Sequence, residues 1–464
     1  MKKAFLGLGS NVGDRLRNLR FALHSLQIAG VEMQGASPVY ATEPVGYRDQ
    51  DVFLNVALEV GTSLEPRELL ELCRETEDRA GRERGVHHGP RTLDIDILFY
   101  EDVVLKEPLL MIPHPRITER RFVLEPLARL GANFPDGTPA VEALEKCADK
   151  SFVDYAGTLV ALGDPREVPL AFIGTGRVGS AMAIDLKERG YNVEAVYDID
   201  EPRSRHVAMK AGARAASGEA DAARNATVIF VTTQDSHIRH ACGRASTTAG
   251  DMMLKTFMHM SGSLPLNALE PAEKKGALLG SVHPIQTFAD ARAAAHDLPG
   301  ATFSVTARAG AYYFASALVE ELGGTPKPLA DKDKALYHSA AVMAGNLTTM
   351  LFGAVADIYR SIGFENREAV EAALPLARTS LANAEKLGPA GALTGPLARG
   401  DIPTLKANLD ALDEVFPEVA RAYRAVSLMG LRLVIEQGEV DDATIAGMKA
   451  FLEEGLSGSR EETG

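Results

Sequence analysis

A second beginning, deep inside the chain, constrains its fold more than any other feature. The run PLAFIGTGRVGS (169–180) is an apolar stretch, then a G-x-G-x-x-G turn, then the first residue of a helical pattern that continues through AMAIDLKERG. A short strand that ends in such a turn and restarts as a helix is the opening unit of a parallel α/β sheet. Gly174 permits the tight turn, Gly176 lets a pyrophosphate approach the backbone, and Gly179 lets the helix pack on the strand. The next strand pattern ends at Asp198, 24 residues after Gly174, where an acidic side chain can hold the ribose hydroxyls of NAD. Arg203 and Arg205 follow and suit the 2′-phosphate of NADP instead, so both dinucleotides stay open.

Alternating strand and helix patterns continue to about residue 306, with strand candidates NVEAVYD, TVIFVTT, KTFMHMSG, ALLGSVH and ATFSVT. From 308 onward the text is helical and rich in Ala and Leu, and no further strand is expected. Before the seam the order differs. KAFLGL, VEMQGASPVYA (31–41), FLNVALEV (53–60) and RTLDIDILFY (91–100) read as strands. RLRNLRFALHSL and SLEPRELLELCRETEDRAG (63–81) read as helices. That β-α-β-β-α-β order implies a ferredoxin-like α+β sandwich. The fold class expected is multi-domain: an α+β sandwich over 1–160, an α/β Rossmann domain over 168–306 and an all-α domain over 307–464.

With 464 residues, at about 100–200 per domain, three domains are within reach. The chain has 49 basic and 63 acidic residues, a net charge of −14 shared as −7 on each side of residue 164. Binders of nucleic acid or anionic membranes draw much of their affinity from excess positive charge, so neither is expected as a partner. Cys73, Cys147 and Cys242 are far apart and form no C-x-x-C pair, which excludes a disulfide framework or zinc ribbon and fits a cytoplasmic setting. MKKAFLGLGSN has no long apolar stretch, so no signal peptide is read. No run is expected to approach the ~20 apolar residues of a membrane span.

Arg79, Arg82, Arg84 and Arg91 fall within 13 residues, and Asp94 and Asp96 follow on an expected strand. A spacing of two puts both carboxylates on one face. They repel unless a cation sits between them, and Mg²⁺ suits because it takes carboxylate and phosphate oxygens together. Arginine binds phosphate bidentately. These residue types point to a metal–nucleotide site; the plain alternative is one solvated aspartate beside a solvated arginine loop. The surrounding text adds to this. LGLGSNVGDR (6–15), SPVYATEPVGY (37–47), FLNVA (53–57), GPRTLDIDIL (89–98) and IPHPRITERRFVLEPL (112–127) stand in one order and spacing. On these motifs, residues 1 to about 150 resemble the 6-hydroxymethyl-7,8-dihydropterin pyrophosphokinase family.

The resemblance implies transfer of pyrophosphate from ATP to the dihydropterin alcohol, a step of folate biosynthesis, with AMP as the second product. It implies that Asp94 and Asp96 bind Mg²⁺, that Arg82 and Arg91 neutralise charge on the transferred group, and that Glu77, His114 and Arg120 hold ATP. Thr42, Val45 and Asn55 would line the pterin pocket, with Phe53 and Phe122 stacking on the ring. On residue type alone both aromatics read as core. Two departures stand out. The arginine loop GRERGVHHGPR is one residue short of the family pattern, and His88 stands where a tryptophan often closes over the pterin.

Residues 168 to about 430 resemble Rossmann-like proteins of poorly defined function with a helical C-terminal domain. The segments that carry this are HMSGSLPL (259–266), SVHPIQTF (281–288), LYHSAAVMAGN (336–346) and ALTGPLARGD (392–401). The layout is similar to that of ketopantoate reductases, pyrroline-carboxylate reductases and β-hydroxyacid dehydrogenases. It implies an NADP- or NAD-dependent reductase of an unidentified keto-acid or imine, with ketopantoate as one candidate, and a homodimer formed through the helical domain. Lys334, His338 and Asn346, four and eight residues apart, lie roughly along one helix face, and His283 follows an expected strand. His283, His338 and Asn346 are the expected catalytic group, orienting a carbonyl and supplying a proton during hydride transfer. The plain readings are a satisfied helix histidine and a solvated lysine. Thr394 and Arg399 either bind an anion or fix a helix junction. The competing reading of this half is a dinucleotide-sensing or dimerising module without turnover.

Overall fold

The computed structural model describes residues 1–46, 49–82, 89–248, 250–286, 298–308 and 310–457. It divides into two compact units, Met1–Ala341 and Val342–Gly464.

In the first unit, β1 (Lys2–Ser10), β2 (Glu32–Ala36), β3 (Val39–Thr42), β4 (Phe53–Thr62) and β5 (Asp94–Tyr100) build an antiparallel sheet. β6 (Leu105–Glu107) and β7 (Leu110–Ile112) make a separate hairpin, and β8 (Val153–Gly157) returns to the sheet, giving the order β5-β1-β4-β3-β8 with β2 also on β4. The single strand expected over 31–41 is two, because Pro38 has no N–H for the ladder. Strand alternation sends Ala4, Leu6 and Leu8 to one face, with Leu19 and Leu23 of the helix Arg15–Ile28 and Leu69 of the helix Pro66–Arg79. Phe5 and Phe99 stack on the other face, ring centroids 4.4 Å apart, with Leu124 and Leu127 of the helix Arg121–Arg129.

The second sheet contains β9 (Leu170–Ile173), β10 (Val193–Tyr197), β11 (Arg214–Ala215), β12 (Val228–Val231), β13 (Thr256–His259) and β14 (Leu278–Pro284), all parallel. Their order, β11-β10-β9-β12-β13-β14, is the doubly wound one. β15 (Thr302–Ala307) runs antiparallel to β14, and β16 (Thr325–Pro328) pairs with β15. β16 corrects the expectation of no strand after 308. Its sequence, TPKP, is half proline, which a sheet tolerates only at an edge, where β16 lies.

The second unit is helical: Thr348–Ser361, Asn366–Ala392, Ile402–Val415, Pro417–Gln437 and Asp442–Ser457. Leu405, Leu409, Leu431, Val434, Met448 and Leu452 form its core. The TGPLARGD turn serves as a helix junction: Asp401 caps the helix Ile402–Val415 by accepting from Thr404 N at 3.1 Å, and Gly400 (φ +65°) leaves room for Thr444. The helical run Asp331–Ser361 bears on the expectation about membrane spans by length and composition only. It has 31 residues, and its most apolar 18-residue window has a mean hydropathy of 1.4 and is 6% buried, so it is long and apolar enough to cross a membrane. Residues 335–356 include Ser, Thr, Tyr, His and Asn but no Asp, Glu, Lys or Arg, so the polar residues break the apolar run without lowering its average much.

Within the first unit the two sheets share one continuous apolar cluster, which runs from Leu6 and Leu23 through Leu159 and Val160 to Phe172 and Val305. Arg20, 1% exposed, crosses this joint and donates through Nη2 to the Lys255 carbonyl, while Nε and Nη1 find no partner among the described residues. Burial pushes its pKa down to about 9. Arg17 pairs with Asp251 at 2.5 Å beside it, and Tyr313 Oη donates to the Arg129 carbonyl at 2.8 Å. A half-satisfied buried cation costs more than an apolar side chain of similar volume, whereas deleting it leaves a hole. Arg20→Met should therefore leave the melting temperature unchanged or raise it. Arg20→Ala should cost about 2–4 kcal/mol in denaturant unfolding.

Candidate functional site

Asp94 and Asp96 sit one residue apart at the start of β5 and face one way. Opposite them in the β1 ladder stand Gly9, in register with Asp94, and Gly7, in register with Asp96. A Cβ on Gly9 would meet Asn55 Oδ1 at 2.9 Å, and one on Gly7 would press on Leu98 at 3.2 Å. The glycines of LGLGS thus leave the aspartates a floor clear of side chains. Sequence reasoning had not singled them out, although their spacing of two mirrors that of the aspartates. A cavity of ~220 Å³ opens over this floor. It gathers Thr42, Val45, Phe53 and Asn55 from the β3–β4 segment, Arg91, Asp94 and Asp96 from the β5 segment, and His114, Arg120 and Phe122 from the chain that follows. Asn55 Nδ2 donates to Thr42 Oγ1 at 2.7 Å, and the Arg120 guanidinium lies 5.6 Å from the Phe122 ring centroid.

Glu77 does not line the cavity. Its Oε1 accepts from the Ile95 amide at 2.7 Å and pairs with Arg82, which also reaches Asp94 at 2.8 Å. Arg91 pairs with the other oxygen of Asp94, and its backbone exchanges hydrogen bonds with Asn11, whose Oδ1 accepts from Arg91 N at 2.7 Å. Asn11, just past β1 and buried, is a positioning residue that the sequence reading missed. With both arginines on Asp94, Asp96 is left in a drier place. Burial, then the charge of Asp94, push its carboxyl up to about 7. Burial, then Arg120 and Arg116, push His114 down to about 4, so its ring is neutral near pH 7. Two carboxylates on an open floor, ringed by arginines, are a donor set for a hard divalent cation with phosphate oxygens. Arg84 and His88 lie outside the described residues.

The G-x-G-x-x-G turn leaves β9 beside β12, where the strand order reverses. Gly174 has φ +101°, and a Cβ there would come within 2.7 Å of the Thr232–Thr233 backbone. A Cβ on Gly179 would collide with the Gly174 carbonyl. Gly176 faces open space at the N-terminus of the helix Arg177–Glu188. Packing thus demands two of these glycines and access the third. The Asp198 carboxylate folds back onto the turn, accepting from Thr175 N at 2.6 Å, Thr175 Oγ1 at 3.0 Å and Asp200 N at 2.9 Å. Arg203 pairs with Asp200 at 2.9 Å, and Arg205 with Glu201.

Beyond the C-terminal ends of β13 and β14, His283, His338 and Lys334 come together. Lys334 is buried and donates to the Ser261 carbonyl at 3.0 Å and to Ser281 Oγ at 2.8 Å. Burial pushes its amine down to about 8. His283 Nδ1 lies 3.0 Å from Tyr337 Oη, and burial, then His338 and Lys334, push its pKa down to about 4. Ser261 Oγ donates to Asp235 at 2.7 Å and caps the amides of Ser263 and Leu264. The SGS of HMSGSLPL and the tyrosine beside His338 were the signals for these added members. Asn346 lies in the other unit, exposed, on the turn Met343–Leu347.

Three sequence families match along the chain. Residues 5–132 match 7,8-dihydro-6-hydroxymethylpterin-pyrophosphokinase, residues 169–254 match coenzyme F420-dependent NADP oxidoreductase, and residues 301–429 match a domain of unknown function (DUF2520). The 2-amino-4-hydroxy-6-hydroxymethyldihydropteridine pyrophosphokinase of Bacillus subtilis (strain 168) is 50% identical over 128 residues, covering 27% of this chain and 77% of its own length. The enzyme of the same name from Methylorubrum extorquens is 43% identical over 148 residues, covering 32% and 94%. Among solved structures, an imine reductase from Myxococcus stipitatus in complex with NADP⁺ is 18% identical with a TM-score of 0.44, covering 60% of this chain and 99% of its own. The ketopantoate alternative finds no specific support among these likenesses. Through residues 5–132, the chain belongs to the 7,8-dihydro-6-hydroxymethylpterin-pyrophosphokinase family.

Proposed function

We propose that the N-terminal part transfers pyrophosphate from ATP to 6-hydroxymethyl-7,8-dihydropterin. The observation that carries this reading is the cavity that places Asp94 and Asp96 together with Thr42, Asn55, Phe53 and Phe122. Asp94 and Asp96 would hold Mg²⁺, which supplies charge neutralisation between the phosphate oxygens and the pterin hydroxyl. Thr42, Val45 and Asn55 receive the pterin edge, and the two phenylalanines its faces. Arg82 and Arg91 exchange Asp94 for phosphate oxygens when ATP arrives, stabilising charge on the transferred group. Neutral His114 and cationic Arg120 hold the nucleotide, and Glu77 supports Arg82 from behind the strand.

The second part is read as an NADP-dependent reductase of a small keto-acid or imine. Asp198 spends its carboxylate on Thr175 and the Asp200 amide, and Arg203, paired with Asp200, would exchange that partner for a 2′-phosphate. His283 and His338 serve the substrate. The exposed Met350, Leu376, Leu381 and Leu387 of the helical unit support a homodimer formed through that unit. Three buried, unbridged cysteines fit a reducing, cytoplasmic setting.

Asp96→Ala should lower AMP formation from ATP and the dihydropterin alcohol by about three orders of magnitude or more; retained turnover would sink the metal assignment. In the parent protein, Mg²⁺ must displace the proton that Asp96 keeps below about pH 7. Calorimetry in buffers of different ionisation enthalpy should therefore show proton release on Mg²⁺ binding, and affinity that weakens as pH falls through 7. NADPH fluorescence should rise on binding, more than NADH fluorescence, and Arg203→Ala should narrow the difference. Binding without turnover of any keto-acid or imine would favour the sensing module, and binding of neither nucleotide would discard both readings. Sedimentation equilibrium should give twice the 49.6 kDa chain mass; a monomer at micromolar concentration removes the dimer.

A further inference from the structure

β1 runs between β4 and β5, and both of its ladders stop at the rim of the pterin cavity. The last pair with β4 is Ser10 and Leu54, one residue from Phe53, and the last pair with β5 is Gly9 and Asp94. Asn11 follows at once and continues both ladders by other means. Its N–H donates to the Arg91 carbonyl at 3.1 Å, and its Oδ1 stands in for a strand carbonyl by accepting from Arg91 N at 2.7 Å. On the other side its Nδ2 donates to Gln50 Oε1 at 3.0 Å and to the Asp51 carbonyl at 3.1 Å. A backbone N–H only donates and a backbone carbonyl only accepts, so this carboxamide can face one way only. It is buried, with Nδ2 and Oδ1 both engaged. Arg15 Nη1 braces the same junction by donating to the Val52 carbonyl at 3.0 Å, and Ser10 Oγ by donating to the Thr92 carbonyl at 2.6 Å.

The two tied segments serve opposite ends of the site. Gln50–Val52 lead into Phe53, and Arg91 pairs with Asp94; Phe53, Arg91 and Asp94 line the cavity, whereas Asn11 does not. We propose that Asn11 is a positioning residue that couples pterin binding to nucleotide binding, by joining the segment before Phe53 to the backbone of Arg91 through one carboxamide. The coupling rests on the pyrophosphokinase reading and goes past it, from which residues hold each substrate to how the two are held in step. A segment ordered by its own substrate orders the other, because the shared carboxamide cannot turn without breaking bonds to both. By linkage the effect is reciprocal: the factor by which the nucleotide tightens the pterin is the factor by which the pterin tightens the nucleotide. The residue type matters for the same reason. Aspartate offers the acceptor without the donors, and leucine fills the space with neither. A plain loop staple would instead change stability and shift both affinities alike.

The test is calorimetric titration of the full chain with Mg²⁺ and α,β-methylene-ATP, whose scissile bridge is blocked, with and without 6-hydroxymethyl-7,8-dihydropterin. In the parent protein each ligand should tighten the other about tenfold or more. Asn11→Leu should bring that factor close to one. Asn11→Asp keeps an acceptor for Arg91 N and sets an oxygen against the Asp51 carbonyl. It should weaken the pterin about tenfold while the nucleotide analogue alone stays within about twofold, and in turnover raise KM for the pterin more than KM for ATP. A parent factor of one overturns the coupling without any variant. Asn11→Leu with the parent factor intact, or Asn11→Asp weakening both ligands equally, overturns the role of Asn11. Should Asn11→Leu lose the parent's circular dichroism, the parent factor and Asn11→Asp still decide. AMP formation by the parent is assayed separately, so coupled binding without AMP would remove the pyrophosphokinase reading and leave the coupling in place.

Discussion

Two carboxylates one residue apart on the same face of a strand repel each other, and the N-terminal sheet is arranged around that repulsion. Arg82 and Arg91 take opposite oxygens of Asp94. Burial, then the charge of Asp94, push the Asp96 carboxyl up to about 7 instead. Gly7 and Gly9 stand opposite, where a Cβ would press on Leu98 or meet the Asn55 side chain. Glu77 steadies Arg82, and Asn11 steadies Arg91 from the first turn of the chain. The site is thus held under electrostatic tension that a divalent cation would relieve.

The second part solves a different problem, that of keeping polar groups neutral in a dry place. Lys334 is locked between Ser261 and Ser281, where a solvated surface lysine was the plain reading. His259 and His283 are both pushed well below the usual histidine range by burial. Asp331 and Asp235 bring negative charge to this group, and the hydroxyls of Ser261 and Ser263 occupy Asp235. Where the first site concentrates charge, the second disperses it.

The sequence made some of this legible and hid the rest for physical reasons. Asp94, Asp96 and the glycine turn at 174–179 could be read because each is a local pattern with a fixed period or spacing. Thr42, Val45, Phe53, Asn55, His114, Arg120 and Phe122 came from motif resemblance, and they line one cavity. Gly7, Gly9 and Asn11 escaped notice because their role depends on what lies across the ladder, and the sequence does not print register. The same holds for Ser261, Ser281 and Gly262, which matter through partners remote in sequence, such as Lys334, 73 residues from Ser261. β16 was hidden by its two prolines, and the apolar run 335–356 by its scattered small polar residues.

The buried contact between Arg20 and the Lys255 carbonyl spans 235 residues of chain. At about 5–20 residues per second, a ribosome needs roughly 10–50 s to make the second partner after the first. During that interval the helix Arg15–Ile28 carries an uncovered guanidinium on a surface meant to be sealed. The N-terminal sheet, synthesised before the second one, is therefore finished only after it. Because the apolar cluster runs through both sheets, the two sheets melt as one cooperative foldon rather than as two beads on a string.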